Sequence, residues 1–351
     1  MINTVIIGNC IDKLSLIQEN SIDLIFADPP YFMQTEGELL RTTGERFSGV
    51  NDSWDKFASY KEYDNFCTNW LKECRRVLKD NGSIWVIGAF QNIYRIGYIM
   101  QNLGFWILND IIWSKPNAVP NFGGTRFKNS HETMLWCTKS KKSKYTFNYK
   151  TMKHINNDKQ DKSVWDIGIC IGSERIKDET GKKVHNTQKP ERLLYKIILS
   201  TSKIGDIVLD PFFGTGTTGA MAKFLGRNYI GIEQNEKYAE IAHKRIEKVT
   251  FADTDLHRLA LETKPPRIDI KKLMPIDTPL YTKQGEFIGR INDKGYVDDG
   301  ENILSIHKMA AKRLNKLNYN GWDFFYIMQG DGLKSINDLR YEYVSINKYF
   351  I

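Results

Sequence analysis

The chain has little cysteine, and what it has is scattered. Cys10, Cys67, Cys74, Cys137 and Cys170 form no Cys-x-x-Cys pair and have no nearby histidine at ligand spacing. This argues against a zinc site or a disulfide framework and predicts reduced, mostly buried thiols with no resident metal. No run of about 18 apolar residues is present, and no basic segment leads into an apolar core at the start, so a soluble cytoplasmic protein with no membrane partner is expected. Proline is sparse, ten in 351 residues. Pro265, Pro266, Pro275 and Pro279 cluster after a change of composition near Val249. They predict a linker over residues 251–270, between a domain of residues 1–250 and a module of residues 271–351.

Acidic residues are outnumbered unevenly. Formal charge is +8, and residues 139–189 alone hold thirteen Lys/Arg against six Asp/Glu. A solvated loop is one reading. The other is a surface that neutralises phosphates and releases their counterions.

Seven segments read as strands: Thr4–Ile7, Ile22–Ala27, Ser83–Gly88, Trp106–Trp113, Glu132–Cys137, Asp206–Leu209 and Asn228–Ile232. Several are near-continuous apolar runs, as strands covered on both faces require. Helical spacing alternates with them. Tyr63, Phe66, Trp70, Leu71, Cys74, Val77 and Leu78 define one helix, predicted to stop at Asn81-Gly82. Others are expected over 93–103, 190–202, 217–225 and 235–249, with Pro190 in a first helical turn. The alternation predicts a doubly wound α/β fold with a seven-stranded sheet. Two intervals interrupt it: Gln34–Lys56, polar and punctuated by glycine, which suits a lid or ligand-contacting loop, and the basic stretch 139–188, long enough for an inserted subdomain.

Two short motifs end apolar strands, where open α/β sheets bind ligands. In the second, Asp210-Pro211-Phe212-Phe213 precedes Gly214-x-Gly216-x-x-Gly219, and Glu233 ends the next strand. The glycine spacing alone also fits a nicotinamide dinucleotide. The four residues inserted between strand and first glycine favour a methyl donor with an amino-acid end, whose ammonium Asp210 would balance and whose carboxylate Thr217 or Thr218 would bond. Glu233 would accept from ribose hydroxyls.

The first motif is Asp28-Pro29-Pro30-Tyr31. An exocyclic ring amine is a poor nucleophile because its lone pair is delocalised. Acceptors aimed at its N–H bonds, here Asp28 and the Pro29 carbonyl, help it pyramidalise toward a methyl group. Tyr31 would stack on a base taken out of a duplex. A plain Asp-Pro turn is the bland alternative. Two neighbouring chemistries lack their residues: no cysteine follows a proline, as carbon-5 methylation of cytosine requires, and the His-x-Glu with Pro-Cys-x-x-Cys of zinc deaminases is missing.

With these motifs in this order, residues 1–250 resemble the β class of DNA amino-methyltransferases, whose catalytic motif precedes the cofactor loop. His185-Asn186-Thr187-Gln188-Lys189-Pro190 ahead of that loop adds to the likeness. Within the class the chain is most similar to the cell-cycle-regulated (CcrM type, HinfI-like) adenine methyltransferases, through Ala27–Tyr31, residues 84–88 and 103–110, Pro120-Asn121-Phe122, Gly124-Thr125-Arg126-Phe127, Ser305-Ile306-His307-Lys308 and Asn320-Gly321-Trp322.

The resemblance implies a Rossmann-like S-adenosylmethionine-dependent methyltransferase fold with a mixed sheet, plus a small α+β C-terminal module. It also implies N6 methylation of adenine in double-stranded DNA, in GANTC, by a bacterial, nucleoid-associated protein that can pair as a homodimer. Asn9, Cys10, Asp28, His185, Thr187 and Lys189 join Asp210, Phe212, Phe213, Gly214, Gly216, Thr217, Thr218 and Glu233 as expected cofactor contacts. Asn9 stands where the family usually has aspartate, which keeps an acceptor oxygen. Expected DNA contacts are Arg41, Arg46, Lys115, Asn121, Arg126, Lys141, Lys142, Lys144, Ser305, His307, Asn320 and Trp322. N4-cytosine methylation, or a silent DNA-binding protein on the same scaffold, are the alternatives.

Overall fold

The computed structural model describes residues 2–32, 39–40, 46–47, 55–121, 123–185, 187–254, 256, 268–330 and 332–347. The chain divides into two compact units, Met1–Glu262 and Thr263–Ile351.

The first unit is built on strands β1 (Thr4–Ile7), β2 (Ile22–Ala27), β5 (Leu78–Gly88), β6 (Trp106–Ser114), β7 (His131–Thr138), β8 (Val164–Asp166), β9 (Ile207–Asp210) and β10 (Asn228–Glu233), with β3 (Leu39–Leu40) and β4 (Arg46–Phe47) as a separate antiparallel ribbon. The main sheet runs β1-β10-β9-β2-β5-β7-β6-β8. Only β7 is reversed: β5 and β6 both pair with it antiparallel, and every other neighbour is parallel.

Side chains alternate between two cores, as a pleated strand dictates. Ile25, Ala27, Ile84 and Val86 face α1 (Cys10–Leu14), α2 (Tyr60–Val77) and α3 (Ile93–Asn102). Leu24, Phe26, Trp85 and Ile87 face α5 (Glu191–Thr201), α6 (Thr217–Phe224) and α7 (Glu236–Glu247). The Rossmann-like class therefore holds. All five cysteines are buried free thiols. Among the described residues no helix is long and apolar enough to cross a membrane.

Three expectations are corrected. The sheet has eight strands rather than seven, because Val164–Asp166 is a three-residue edge strand too short to show as an apolar run. Helix α2 stops at Val77, and Leu78 already belongs to β5, so Asn81 and Gly82 lie in a strand. Lys79 binds Asp23 at 2.7 Å and ties this early part of β5 to β2. A Cβ on Gly82 would come within 2.6 Å of Leu78, so the glycine serves a close approach and not a helix stop. Pro190 is the N-cap of α5, in extended conformation, rather than its first helical residue.

The basic stretch crosses the molecule. It leaves β7 at Thr138, beside Leu78 and Asn20 at the amino ends of the parallel strands, where Lys139 Nζ donates to Leu78 O at 2.9 Å. It passes through α4 (Tyr149–Ile155) and β8, and returns to the carboxyl ends.

The second unit holds the sheet order β14-β13-β12-β11-β15-β16, formed by Pro279–Tyr281 (β11), Phe287–Ile291 (β12), Val297–Asp298 (β13), Ile303–Leu304 (β14), Tyr326–Gln329 (β15) and Gly332–Ser335 (β16). Helices Ile306–Arg313 and Ile336–Asn347 accompany it. Four expected DNA contacts have structural tasks here. Ser305 caps the first helix by accepting from the Lys308 amide, His307 Nδ1 accepts from Gly321 N at 3.0 Å, and Asn320 donates to Asp323. Trp322 is 7% exposed in the core, with the Arg340 guanidinium 4.5 Å from its ring centre. That burial places the ring in the packing of this unit and not on a surface where it was expected to contact DNA. Trp322→Ala should destabilise this unit by roughly 3–5 kcal/mol, seen as an earlier-melting transition in calorimetry of the full chain. Unchanged melting with a selective loss of DNA affinity would place the ring at a binding surface instead.

Candidate active site

Loops after β1, β2, β9 and β10 meet at the carboxyl ends of the sheet around a cleft of about 500 Å³. Asn9 and Cys10, Asp28 to Tyr31, Phe212 and Gly214, and Glu233 line it, joined by His185, Thr187 and Lys189 from the returning stretch. The volume and mixed lining suit a small ligand with apolar and polar ends. Asp55, Phe57, Phe66, Gln234 and Tyr238 also line it and carry no motif that singles them out.

The Asp-Pro-Pro-Tyr loop is held on three sides. Asp55 Oδ1 accepts from the amides of Tyr31 and Phe32 at 2.7 and 2.8 Å, which fixes the turn at Phe32, a non-glycine residue with φ of 55°. The Tyr63 hydroxyl donates to the Pro30 carbonyl at 2.8 Å. Lys189 Nζ bonds Asp28 Oδ2, with the Asp28 side chain 16% exposed. The Tyr31 hydroxyl lies 3.0 Å from Asp28 Oδ1 and 3.1 Å from Oε2 of Glu132, whose Oε1 pairs with Lys115 at 2.9 Å.

Burial raises the Asp28 carboxyl despite the Lys189 ammonium beside it. Burial also works against charge at Glu132 and Lys189. At Glu132 the ammoniums of Lys189 and Lys115 outweigh it and lower the pKa, and at Lys189 the carboxylates of Asp28 and Glu132 outweigh it and raise the pKa. Lys189, expected on the cofactor, is therefore a partner of Asp28. Lys115, expected on DNA, is buried against Glu132.

The glycine loop needs further corrections. Asp210 is 3% exposed; its Oδ2 accepts from the Thr218 hydroxyl at 2.6 Å and its Oδ1 from the Phe212 amide at 2.9 Å. Thr217 Oγ1 accepts from Arg245 Nη1 at 2.9 Å. These three side chains shape the loop from beneath and do not line the cleft. Phe213 is core, stacked on Tyr229 and pressed so closely to Gly231 that a Cβ there would lie 2.4 Å from its ring. Gly216, at φ of 78°, lets α6 approach Ala242. Phe212 and Gly214 do reach the cleft, and Glu233 accepts from the amides of Gly214 and Asn235, both at 2.7 Å. Burial, with Lys189 and Arg175 nearby, pushes His185 down to about 4, so its ring is neutral at pH 7.

The expected DNA contacts separate by position. Asn121 and exposed Arg126 lie between β6 and β7 on the cleft edge, and Asn121 Nδ2 donates to the Arg126 carbonyl. Lys141, Lys142 and Lys144 follow the far end of β7, about 20 Å away at the usual rise per strand residue. Arg41 and the side chain of Arg46 lie outside the described residues, as does most of the expected lid.

Asp210 provides a test. Burial, with Asp28 and Glu233 adding to it, pushes its carboxyl up to about 7. A raised carboxyl contributes stability that is complete below its unfolded value and is lost as pH rises through the folded one. Asp210→Asn removes that titration, so its melting temperature relative to the parent should rise from pH 5 to pH 8. A flat difference would mean that Asp210 is ionised throughout.

The family model described as DNA methylase (N6_N4_Mtase) matches residues 22–244. Type II methyltransferase M.HinfI of Haemophilus influenzae is 62% identical over 349 residues, covering 98% of this chain and 97% of that protein. Type II methyltransferase M2.LlaDCHI of Lactococcus lactis subsp. cremoris is 45% identical over 236 residues, covering 67% of this chain and 86% of that one. Among solved structures, the M1.HpyAVI–SAM complex aligns with a TM-score of 0.51 at 27% identity, covering 69% of this chain and 98% of its own. The cytosine-N4-specific PvuII DNA methyltransferase shares the fold, with a TM-score of 0.55 at 19% identity and coverage of 73% and 90%. The chain belongs to the N6/N4 DNA methylase family, and it is a DNA methyltransferase.

Proposed function

We propose that this protein transfers a methyl group from S-adenosylmethionine to N6 of an adenine everted from double-stranded DNA, within GANTC, releasing S-adenosylhomocysteine. One observation carries the reading: Asp28, the loop of Phe212 and Gly214, and Glu233 stand at the ends of three neighbouring parallel strands, β2, β9 and β10, and open on one cleft. Identity to M.HinfI across nearly the whole chain supports the HinfI-like subgroup, from which adenine and GANTC follow.

The donor, when bound, supplies an activated methyl group. Asn9, Cys10, Phe212, Gly214 and Glu233 would hold it, with His185 and Thr187 closing the side of the cleft. Asp28 accepts an N–H bond of the target amine, raises its nucleophilicity and stabilises the positive charge that develops on nitrogen. Lys189 keeps Asp28 in place, and the Tyr31 ring offers a face to the base.

The duplex would lie on the cleft edge, against Asn121 and Arg126. Phe127 is 97% exposed there, between exposed Arg126 and Lys128, and suits the space that an everted base leaves. In the second unit, exposed lysines, Lys308 and Lys316 among them, suit phosphates, and a homodimer would bring a second such unit. N4-cytosine methylation by the same cleft is the second reading, favoured by the reach of the family. Aspartate rather than serine at position 28 favours adenine.

Methyl marks in DNA from cells expressing the protein should fall on N6 of adenine in GANTC. Marks on cytosine N4 would select the second reading. Asp28→Ala should lower turnover by about a hundredfold or more, while calorimetric S-adenosylmethionine affinity stays within a few-fold. A folded variant that retains a tenth of parental turnover would remove Asp28 from its role.

A further inference from the structure

Glu132 is a carboxylate near the reaction centre that neither motif announces. It stands one residue into β7, with its side chain 14% exposed. Its two oxygens have different partners, Lys115 Nζ at 2.9 Å and the Tyr31 hydroxyl at 3.1 Å. The same hydroxyl lies 3.0 Å from Asp28 Oδ1, while Lys189 holds Asp28 Oδ2. A phenol has one proton. It faces two carboxylates and can satisfy only one.

The destination of that proton matters to the reaction. Given to Asp28, it occupies the oxygen that must accept from the target amine and weakens that oxygen as an acceptor. Given to Glu132, it leaves Asp28 Oδ1 with its lone pairs available. The stronger acceptor is the carboxylate whose ionised form is better supported. Burial works against the charge of both carboxylates; at Glu132 two ammoniums, Lys189 and Lys115, outweigh it, whereas at Asp28 Lys189 alone does not.

We infer that Glu132 is a positioning residue: it accepts the hydrogen bond of the Tyr31 hydroxyl, which stays protonated, Lys115 fixes it in place, and Asp28 Oδ1 is thereby kept open for an N–H of the target amine. The inference rests on the reading of Asp28 as that amine's acceptor. The groups facing Asp28 are Lys189 ahead of α5, Tyr31 on its own loop, Glu132 on β7 and Asp210 on β9. Glu132→Gln changes one of these charges and none of the residues lining the cleft.

The test follows kcat of full-length Glu132→Gln against pH, at saturating donor and duplex, with donor affinity measured by calorimetry. The plateau should fall roughly tenfold or more, while donor affinity stays within about twofold. The acid limb should move to lower pH. Loss of a neighbouring negative charge and the phenol's new bond to Asp28 both favour ionised Asp28, so the two effects share a sign. In a Tyr31→Phe background the further loss in plateau should vanish, because the proton to be directed is gone.

A lower plateau with an unmoved acid limb would reduce Glu132 to packing and overturn the inference. So would an additive loss on Tyr31→Phe. Glutamine leaves Lys115 buried without its partner and can impair folding, so Glu132→Gln/Lys115→Met removes both charges together. That pair should show a limb displaced in the same direction but by less, since only the phenol's bond to Asp28 then acts, and parental kinetics in it would overturn the inference. Failure of the underlying reading looks different: Asp28→Ala would then retain turnover, whatever Glu132→Gln does.

Discussion

The direct parallel pairing of β2 with β9 is the contact on which the rest of the molecule depends. Leu24 lies opposite Val208 and Ile25 opposite Leu209, joining segments more than 180 residues apart in sequence. Parallel strands end on the same side, so this pairing alone brings the Asp-Pro-Pro-Tyr loop and the glycine loop to one cleft. Register is critical, since a slip by one residue sends every side chain to the opposite face. Both faces of β2 are apolar, so hydrophobicity alone does not choose between them. Asp23 helps to choose: it accepts from the Ile207 amide at 3.0 Å and pairs with Lys79 at 2.7 Å, tying β9 and β5 to β2 at the amino end. Register is fixed at one end of the sheet and used at the other.

Asp28 follows β2 and Asp210 ends β9; burial raises both carboxyls, and their partners differ. Asp28 belongs to a buried group of two carboxylates, two ammoniums and a phenol whose formal charges cancel. Such groups seldom stabilise a fold relative to apolar residues, because desolvation offsets the Coulomb gain. Their persistence here is better explained by orientation, since each carboxylate oxygen in the group points at a defined partner. Asp210 has only neutral donors, the Thr218 hydroxyl and the Phe212 amide, and its carboxyl is correspondingly pushed up to about 7. One lines the cleft beside an ammonium. The other holds a loop.

The fold was legible wherever apolar runs were long and doubly covered. Ile22–Ala27 occurs with the bounds that the sequence indicates, and so does the half-exposed edge strand Thr4–Ile7. The short edge strand β8 was not legible, since three residues beside polar chain carry no periodicity. Asn81-Gly82 misled because the pair signals a turn by local preference, whereas Lys79 and a close approach to Leu78 decide the matter through tertiary contact. The cleft lining was readable from motifs as far as Asn9, Asp28, Phe212, Gly214 and Glu233. Glu132 was not readable, because its partner Tyr31 lies 101 residues away and no spacing encodes that contact. Thr217, Thr218 and Phe213 were misassigned for a related reason. A motif tells which residues stand near a ligand, but not which of them face it and which support the loop from beneath.

The reversed strand β7 also decides what the basic stretch can do. Because β7 runs against the sheet, the chain leaving it emerges at the amino ends, with Lys139 bound to Leu78 O and Asn20. Lys141, Lys142 and Lys144 follow there, about 20 Å from the cleft at the usual rise per residue. A Debye length of about 8 Å at physiological ionic strength screens most of their influence on a ligand at the opposite edge. Chain that has passed β8 is back at the carboxyl ends, and its charges, Lys177, Lys182 and Lys183 among them, stand in the stretch that leads to His185 and Lys189. The net charge of the insert is therefore a poor guide to the potential at the cleft. The direction of one strand puts eight of the thirteen basic residues ahead of β8 and leaves five on the returning chain, of which Lys189 alone lines the cleft.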